Sequence, residues 1–477
     1  MFETLKQKNY HRWLIFCVTA LGTFMATLDA SIVNVALPVI SQNLGAELSV
    51  VQWVVSAYLL TISSLLPLFG KVGDMYGRRR VYLFGMALFA LGSFFCGMSN
   101  TIWSLVIARI LQAVGASMLM SNAPAIVSTT FPGQDRGRAL GMNGTVVALG
   151  SLTGPSLGGI LVGTLNWQSI FYINIPIAIL AVLFGYVILP ADEQQTVTPF
   201  DYMGAALFAL SMTSLLLVVS HGQEWGWDSP IVYGISFVAL VGFSIFFYHE
   251  IHVEHPMIEL ALFKNWTLLS GNIAGMLSFI AMFSNNILLP FYLHTILSLA
   301  PTQIGLAITP FPLLMAVTAP VSGYLSERVN PAILTTSGLS LTMCGLLYMS
   351  ALDANSTIWH VIISQAVMGI GSGMFQSPNN NSVLSSVPKS KVGLVSGINA
   401  LVRNIGMVSG VAISVSVFEN HKHQILSSIV EPSSAEQIAA FLSAYHTSII
   451  VAACFAGVGA MISFNRRGYL KKLSEQE

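Results

Sequence analysis

Asp29 and Arg109 stand inside long apolar stretches, ATLDASIVNVALP and SLVIARILQAVGAS, and are the first candidates for chemistry. A charge within a membrane-crossing segment costs several kcal/mol unless it meets a partner or a water-filled path, so each marks a functional site by default. A carboxylate there can take up and release a proton. Asp29 reads as the sole acid deep in any span, suited to exchanging a proton against a cationic solute. Arg109 stays charged and presents five fixed donors, with Gln112 one turn away.

Other polar residues outline a substrate cavity. Asn34, Tyr58, Asn285, Asn286, Gln376, Asn379, Asn380, Asn399 and Arg403 all fall at mid-span positions, although amides in such spans also hydrogen-bond helix to helix. Phe291, Tyr292 and the 20 methionines add adaptable apolar contacts. Two glycine motifs suit moving parts. In GKVGDMYGRRR, Gly70 and Gly77 let two helix ends approach, Asp74 can pair with a helix end or an arginine, and Arg78 and Arg79 anchor the loop. In GSLTGPSLGG, Gly154, Gly158 and Gly159 permit close helix contact and Pro155 bends the chain.

Several chemistries have no residues to carry them. The chain holds no phosphate-binding G-x-x-x-x-G-K-[ST], no H-E-x-x-H and no G-x-S-x-G, and its 4 cysteines show no C-x-x-C spacing. No metal, no cofactor and no enzymatic activity are expected. Twenty Lys and Arg balance 20 Asp and Glu, which leaves no basic surface for nucleic acid.

The elements that position these residues are membrane spans. Only 8% of the 477 residues are charged and 54% are hydrophobic, against roughly 25% charged in a soluble domain. Apolar stretches predict helices over 13–36, 50–69, 80–99, 102–124, 138–163, 167–189, 201–219, 230–249, 267–294, 303–325, 332–352, 357–384, 393–418 and 443–464. The first is read as a retained helix and not a cleaved leader. Of the 20 Lys and Arg, 17 then fall on the side of the N-terminus, only Lys422 on the other, and Arg109 and Arg403 within helices. Short cytoplasmic loops retain positive charge, so both termini are expected in the cytoplasm.

The chain also repeats itself. Pro67, Gly70 and Asp74 recur 253 residues later as Pro320, Gly323 and Glu327. Gly115 and Pro124 recur 254 later as Gly369 and Pro378, and Gly141, Asn143, Gly150 and Gly154 recur 256 later. The expected architecture is therefore all-α: a six-helix bundle over 12–190, an inserted helix pair over 191–265, and a second six-helix bundle over 266–465.

These motifs resemble those of the major facilitator superfamily. The loop after Gly70 is similar to its G-x-x-x-D-x-x-G-R-[RK] signature, and Arg109 with Gln112 to its R-x-x-Q-G motif, with Ala113 where glycine is usual. GSLTGPSLGG resembles the element that marks antiporters, and LDASIVNVALP the signature of the fourteen-helix drug:proton antiporters, with Ser31 where threonine is usual. The resemblance covers about residues 10–465. It implies a major facilitator fold and proton coupling through Asp29 and Arg109. It implies gating by Gly70, Asp74, Gly77, Arg78, Arg79, Gly154, Pro155, Gly158 and Gly159, and export of amphipathic, cationic compounds by alternating access. The partners implied are such a small molecule, protons and membrane lipid. The chain would act as a monomer in a bacterial plasma membrane. A lipid or glycolipid transporter of the same fold is the alternative.

Overall fold

The structure is a computed structural model that describes residues 9–131, 133–192, 201–253, 260–326, 328–388, 392–427, 429 and 433–474. Expectations placed on Lys6, Lys8, Glu327, Lys389 and Lys391 lie outside the described residues. Fourteen longer helices follow one another among the described residues, with short helical turns at Leu48–Val51, Ser169–Tyr172 and Leu260–Lys264 between some of them, and no strand occurs there. They are α1 Asn9–Leu44, α2 Trp53–Tyr76, α3 Arg78–Met98, α4 Ile102–Thr130, α5 Gly133–Thr164, α6 Asn174–Ile188, α7 Tyr202–Trp225 and α8 Pro230–His252. The second series is α9 Trp266–Thr295, α10 Pro301–Leu325, α11 Pro331–Met349, α12 Ile358–Ser385, α13 Val392–Leu426 and α14 Ser434–Ser474. Each falls on one expected span, and 12 segments are long and apolar enough to cross a membrane among the described residues. The chain is a multi-pass membrane protein.

The helices overrun their apolar stretches. α1 continues through Pro38 to Leu44, where an end near residue 36 was expected, and α14 reaches Ser474 instead of 464. Hydropathy marks only the part of a helix inside hydrocarbon, and a proline is tolerated where neighbouring helices satisfy the freed carbonyl. α10 is broken at Thr309, where Pro310 and Pro312 remove two backbone donors. Side chains seal several starts: Thr101 and Ser104 cap α4 reciprocally, and Asn265 accepts from the backbone of Thr267 and Leu268 at α9.

The longer overrun at α14 corrects one assignment. Arg466, counted with the loop charges, is buried at 1% exposure inside the last helix. Asp29 is likewise not the only buried acid, since Glu250 near the end of α8 is also buried.

The first and fifth helices of each half pack in the same way. α1 lies on α5 and α9 on α13. Ser31 Oγ donates to the Gly150 carbonyl at 3.3 Å, and Ser284 Oγ to the Gly410 carbonyl at 3.1 Å. Glycine makes this approach possible: a Cβ on Gly158 would fall 2.7 Å from Ile32 Cγ1, and one on Gly410 would fall 2.6 Å from the Ile280 carbonyl oxygen. Contacts between the halves run from α5 to α10, α2 to α13 and α1 to α9, while α7 packs on α8, α2 and α13.

Candidate functional site

Asp29, midway along α1, is wholly buried and accepts three hydrogen bonds. The donors are Arg109 Nη1 at 2.5 Å, Gln112 Nε2 at 2.8 Å and Asn174 Nδ2 at 3.0 Å. Arg109 is as deeply buried. Its Nε donates to the Val54 carbonyl at 3.0 Å, its Nη1 also reaches Gln112 Oε1 at 2.6 Å, and its guanidinium lies 3.9 Å over the Tyr58 ring. Ser93 Oγ accepts from Gln112 at 2.8 Å. The cluster thus takes residues from α1, α2, α3, α4 and α6. Arg109 and Gln112, three apart on one helix, share a face; every other contact is brought in by packing.

Asp29 is therefore not a lone acid. It is neutralised by Arg109, which removes the argument that it meets a cationic solute directly. Sequence reading missed Ser93, Asn174 and the Val54 carbonyl, because no local spacing ties them to Asp29. Arg109→Lys tests the geometry of the pair. Lysine keeps the charge but loses the Nε bond to Val54 and the flat face over Tyr58. Substrate-dependent proton exchange is expected to fall about tenfold, equivalent to about 1.4 kcal/mol, with expression unchanged. Normal exchange in the lysine variant would make Arg109 a packing residue.

The glycine-rich loop forms a second assembly. Asp74 Oδ1 accepts from Arg78 Nε at 2.9 Å and Nη2 at 2.8 Å, and Arg78 Nη1 continues to the Ala125 carbonyl at 3.2 Å. Asp192, which sequence reading did not single out, accepts from the backbone N–H of Arg79 at 2.9 Å and of Arg80 at 3.3 Å, closing the start of α3. Arg79 donates to the Tyr186 carbonyl. Close approach was expected at Gly70, but a Cβ there would lie a comfortable 3.8 Å from Ser121 Cβ. The tight position is Gly73, where a Cβ would fall 2.7 Å from Asn122 Cγ.

Gly77 has φ +103°, which favours glycine, and a Cβ there would fall on the Asp192 carboxyl. Gly77→Ala is expected to lower stability by about 1–3 kcal/mol, read as a drop in Tm of the purified protein.

The segment from Gly150 to Gly163 presents two stripes. Gly150, Gly154 and Gly158 face α1, while Pro155, Gly159 and Gly163 face α10 of the other half. Thr302 Oγ1 donates to the Gly159 carbonyl at 3.2 Å. Nearby, Gln42 Nε2 and His294 Nε2 lie 2.8 Å apart and join the ends of α1 and α9. These contacts close the halves together at the ends of α1, α5 and α9 and the start of α10.

Toward the other face, α9, α12 and α13 line an open cavity of about 200 Å3. Gln376, Asn379, Asn380, Asn399 and Arg403 line it, joined by Asn272. Asn34, Tyr58, Asn285 and Asn286 do not. Tyr58 lies under Arg109, Asn285 is buried on α9, and Asn34 and Asn286 are half-buried on α1 and α9. Mid-span position alone could not separate a cavity wall from a helix–helix contact.

Residues 19–410 and 271–464 match the Major Facilitator Superfamily. The chain is 37% identical over 468 residues to the riboflavin transporter RibZ of Clostridioides difficile, covering 97% of this chain and 99% of that protein. It is 31% identical to the multidrug transporter protein MdtP of Bacillus subtilis, covering 89% and 79% respectively. It is 30% identical to the tetracenomycin C resistance and export protein of Streptomyces glaucescens, covering 84% and 75%. A bacterial homolog of the human lysosomal transporter Spinster, in an inward-facing conformation, shares the fold at TM-score 0.70 and 14% identity, over 97% of this chain and 98% of that one. The chain is a membrane transporter, not an enzyme, and belongs to the major facilitator superfamily.

Proposed function

We propose that the chain is a proton-coupled antiporter that exports amphipathic small molecules across a bacterial plasma membrane by alternating access. The observation that carries this reading is the sealed Asp29–Arg109 cluster, joined by Gln112 and Asn174. A proton arriving on Asp29 cancels its charge and frees Arg109, so helices held together by the pair separate. Loss of the proton restores the pair. Coupling then follows from a two-state element that protonation biases. The bundles 12–190 and 266–465 rock about the midplane, as in other repeat-built transporters, with 191–265 as the inserted pair and the chain acting as a monomer. Closure at Gly159 and the cavity at Arg403 correspond to a state open to the cytoplasm. The names of the multidrug and tetracenomycin C relatives support export.

Pairing with Arg109 removes Asp29 as a direct partner for a cationic solute, so the charge of the solute stays open in this reading. A second reading is transport of a flavin, a neutral planar solute, favoured by the near full-length similarity to a riboflavin transporter.

The test is proton flux in proteoliposomes on addition of a lipophilic cation, riboflavin or an amphipathic acid. Transport of one of them, accelerated by an imposed pH gradient, is expected. Transport of any of them that ignores the gradient would end the antiport reading.

Orientation is tested separately. Single cysteines at 355 or 422 are expected to react with an impermeant reagent on intact cells, and one at 79 only after permeabilisation. The basis is the charge asymmetry of the connections, 16 to 1 once Arg466 is counted with the last helix. Labelling at 79 from outside would reverse the topology.

A further inference from the structure

This chain shows at Arg109 how it stores a guanidinium that must stay put: with a carboxylate, a carbonyl, an amide and an aromatic face. Arg403 is treated differently. It is half-buried on α13, lines the cavity between α9, α12 and α13, and has no ion pair or hydrogen bond among the described residues. Among the described residues, no Asp or Glu lines that cavity. A second arginine stands behind the wall. Arg466, 1% exposed, donates from Nη1 to Asn379 Oδ1 at 3.1 Å, while its Nε and Nη2 have no partner. Asn379 in turn donates to the Gly271 carbonyl at 3.0 Å, so its amide is held in the wall between the two helices.

We propose that this cavity is a subsite for an anionic group, a carboxylate or a phosphate, carried by the transported solute or by a lipid headgroup. Three observations support it. Two positive charges lie at one cavity with no acid to neutralise them among the described residues, and a guanidinium fork matches a carboxylate or phosphate in two parallel hydrogen bonds. The amides of Asn380 and Asn399 line the same space with no partner of their own among the described residues, and each can donate two further bonds. The volume of about 200 Å3 is below the roughly 300–1,000 Å3 of a drug-sized site, so it takes one polar group while the apolar remainder of the molecule lies outside. Arg403 contacts the anion; Arg466 acts as a positioning residue through Asn379.

The inference deepens the export reading by naming what the substrate carries. It is tested by equilibrium binding to the purified full chain in an uncharged detergent, which needs no proton coupling, so failure here and failure of antiport are distinguishable. The probes are pyrenebutyrate, its methyl ester and a pyrenebutyl trimethylammonium, followed by fluorescence anisotropy. The acid is expected to bind at least about tenfold tighter than either analogue. Arg403→Gln is expected to weaken the acid about tenfold and leave the ester within about twofold, with Arg403→Lys intermediate. Displacement of the acid by phosphatidylglycerol but not phosphatidylcholine assigns the site to a lipid headgroup; failure of both to displace it assigns the site to a soluble acid. Equal affinity of wild-type protein for acid and ester, or tighter binding of the cation, overturns the proposal, and this comparison stands even if the glutamine variant does not fold.

Discussion

Asp29→Asn is expected to abolish export driven by a pH gradient and, in the same protein, to lower the melting temperature. The two effects have one cause. Asparagine keeps the volume but cannot carry a proton, and it leaves Arg109 buried at 1% exposure without a counter-charge. Breaking a buried ion pair from one side costs about 3–5 kcal/mol, whereas removing both partners together is often near neutral. The double variant Asp29→Asn with Arg109→Gln is therefore expected to regain most of the lost stability while transport stays absent. Melting in detergent and gradient-driven uptake into inverted vesicles measure the two. Wild-type export by the single variant would rule out Asp29 as the proton carrier and move attention to Glu419, which lies 3.9 Å from Lys422 near the end of α13.

Gly159→Val is expected to stop transport without unfolding the chain. Its Cβ would point at the other half, 2.6 Å from the Pro301 carbonyl oxygen and 3.2 Å from Gly305 Cα. Those neighbours are backbone and cannot rotate away. Overpacking of this kind costs about 1–3 kcal/mol, which changes the ratio of two conformers by up to about two powers of ten. The substitution penalises only the closed contact between halves, so the face that carries Gly159 and Gln42 should stand open. A cysteine at position 42, normally held against His294, is then expected to react with an impermeant reagent. Gly158→Val gives the contrast. One residue away, it faces Ile32 inside its own half and is expected to lower stability instead. Wild-type transport by the Gly159 variant, with position 42 unreactive, would dissociate this contact from the transport cycle.

How far the cluster was legible in the sequence depended on distance along the chain. Arg109 and Gln112 were linked by helical spacing, and Asp29 was singled out by its apolar surroundings. Their mutual pairing, and the parts played by Ser93, Asn174 and the Val54 carbonyl, were not. Asp192 escaped for the same reason: it closes the start of α3 from 113 residues away. In the glycine motifs the sequence located the small residues but not which helix each one faces.

The sequence by itself determined the order of the apolar helices and placed Asp29 and Arg109 inside them. Apolar length, period and loop charge are local properties, and a bilayer acts on each segment separately. Only the tertiary structure decided that Asp29 is paired, that the Gly150 and Pro155 stripes serve different halves, and that Arg403 and Arg466 flank one cavity with no acid among the described residues. Helices in lipid gain little from burying apolar surface against one another, so their contacts depend on small residues and buried polar groups meeting in three dimensions. Which groups meet is set by the crossing of whole helices, and no window of sequence contains that.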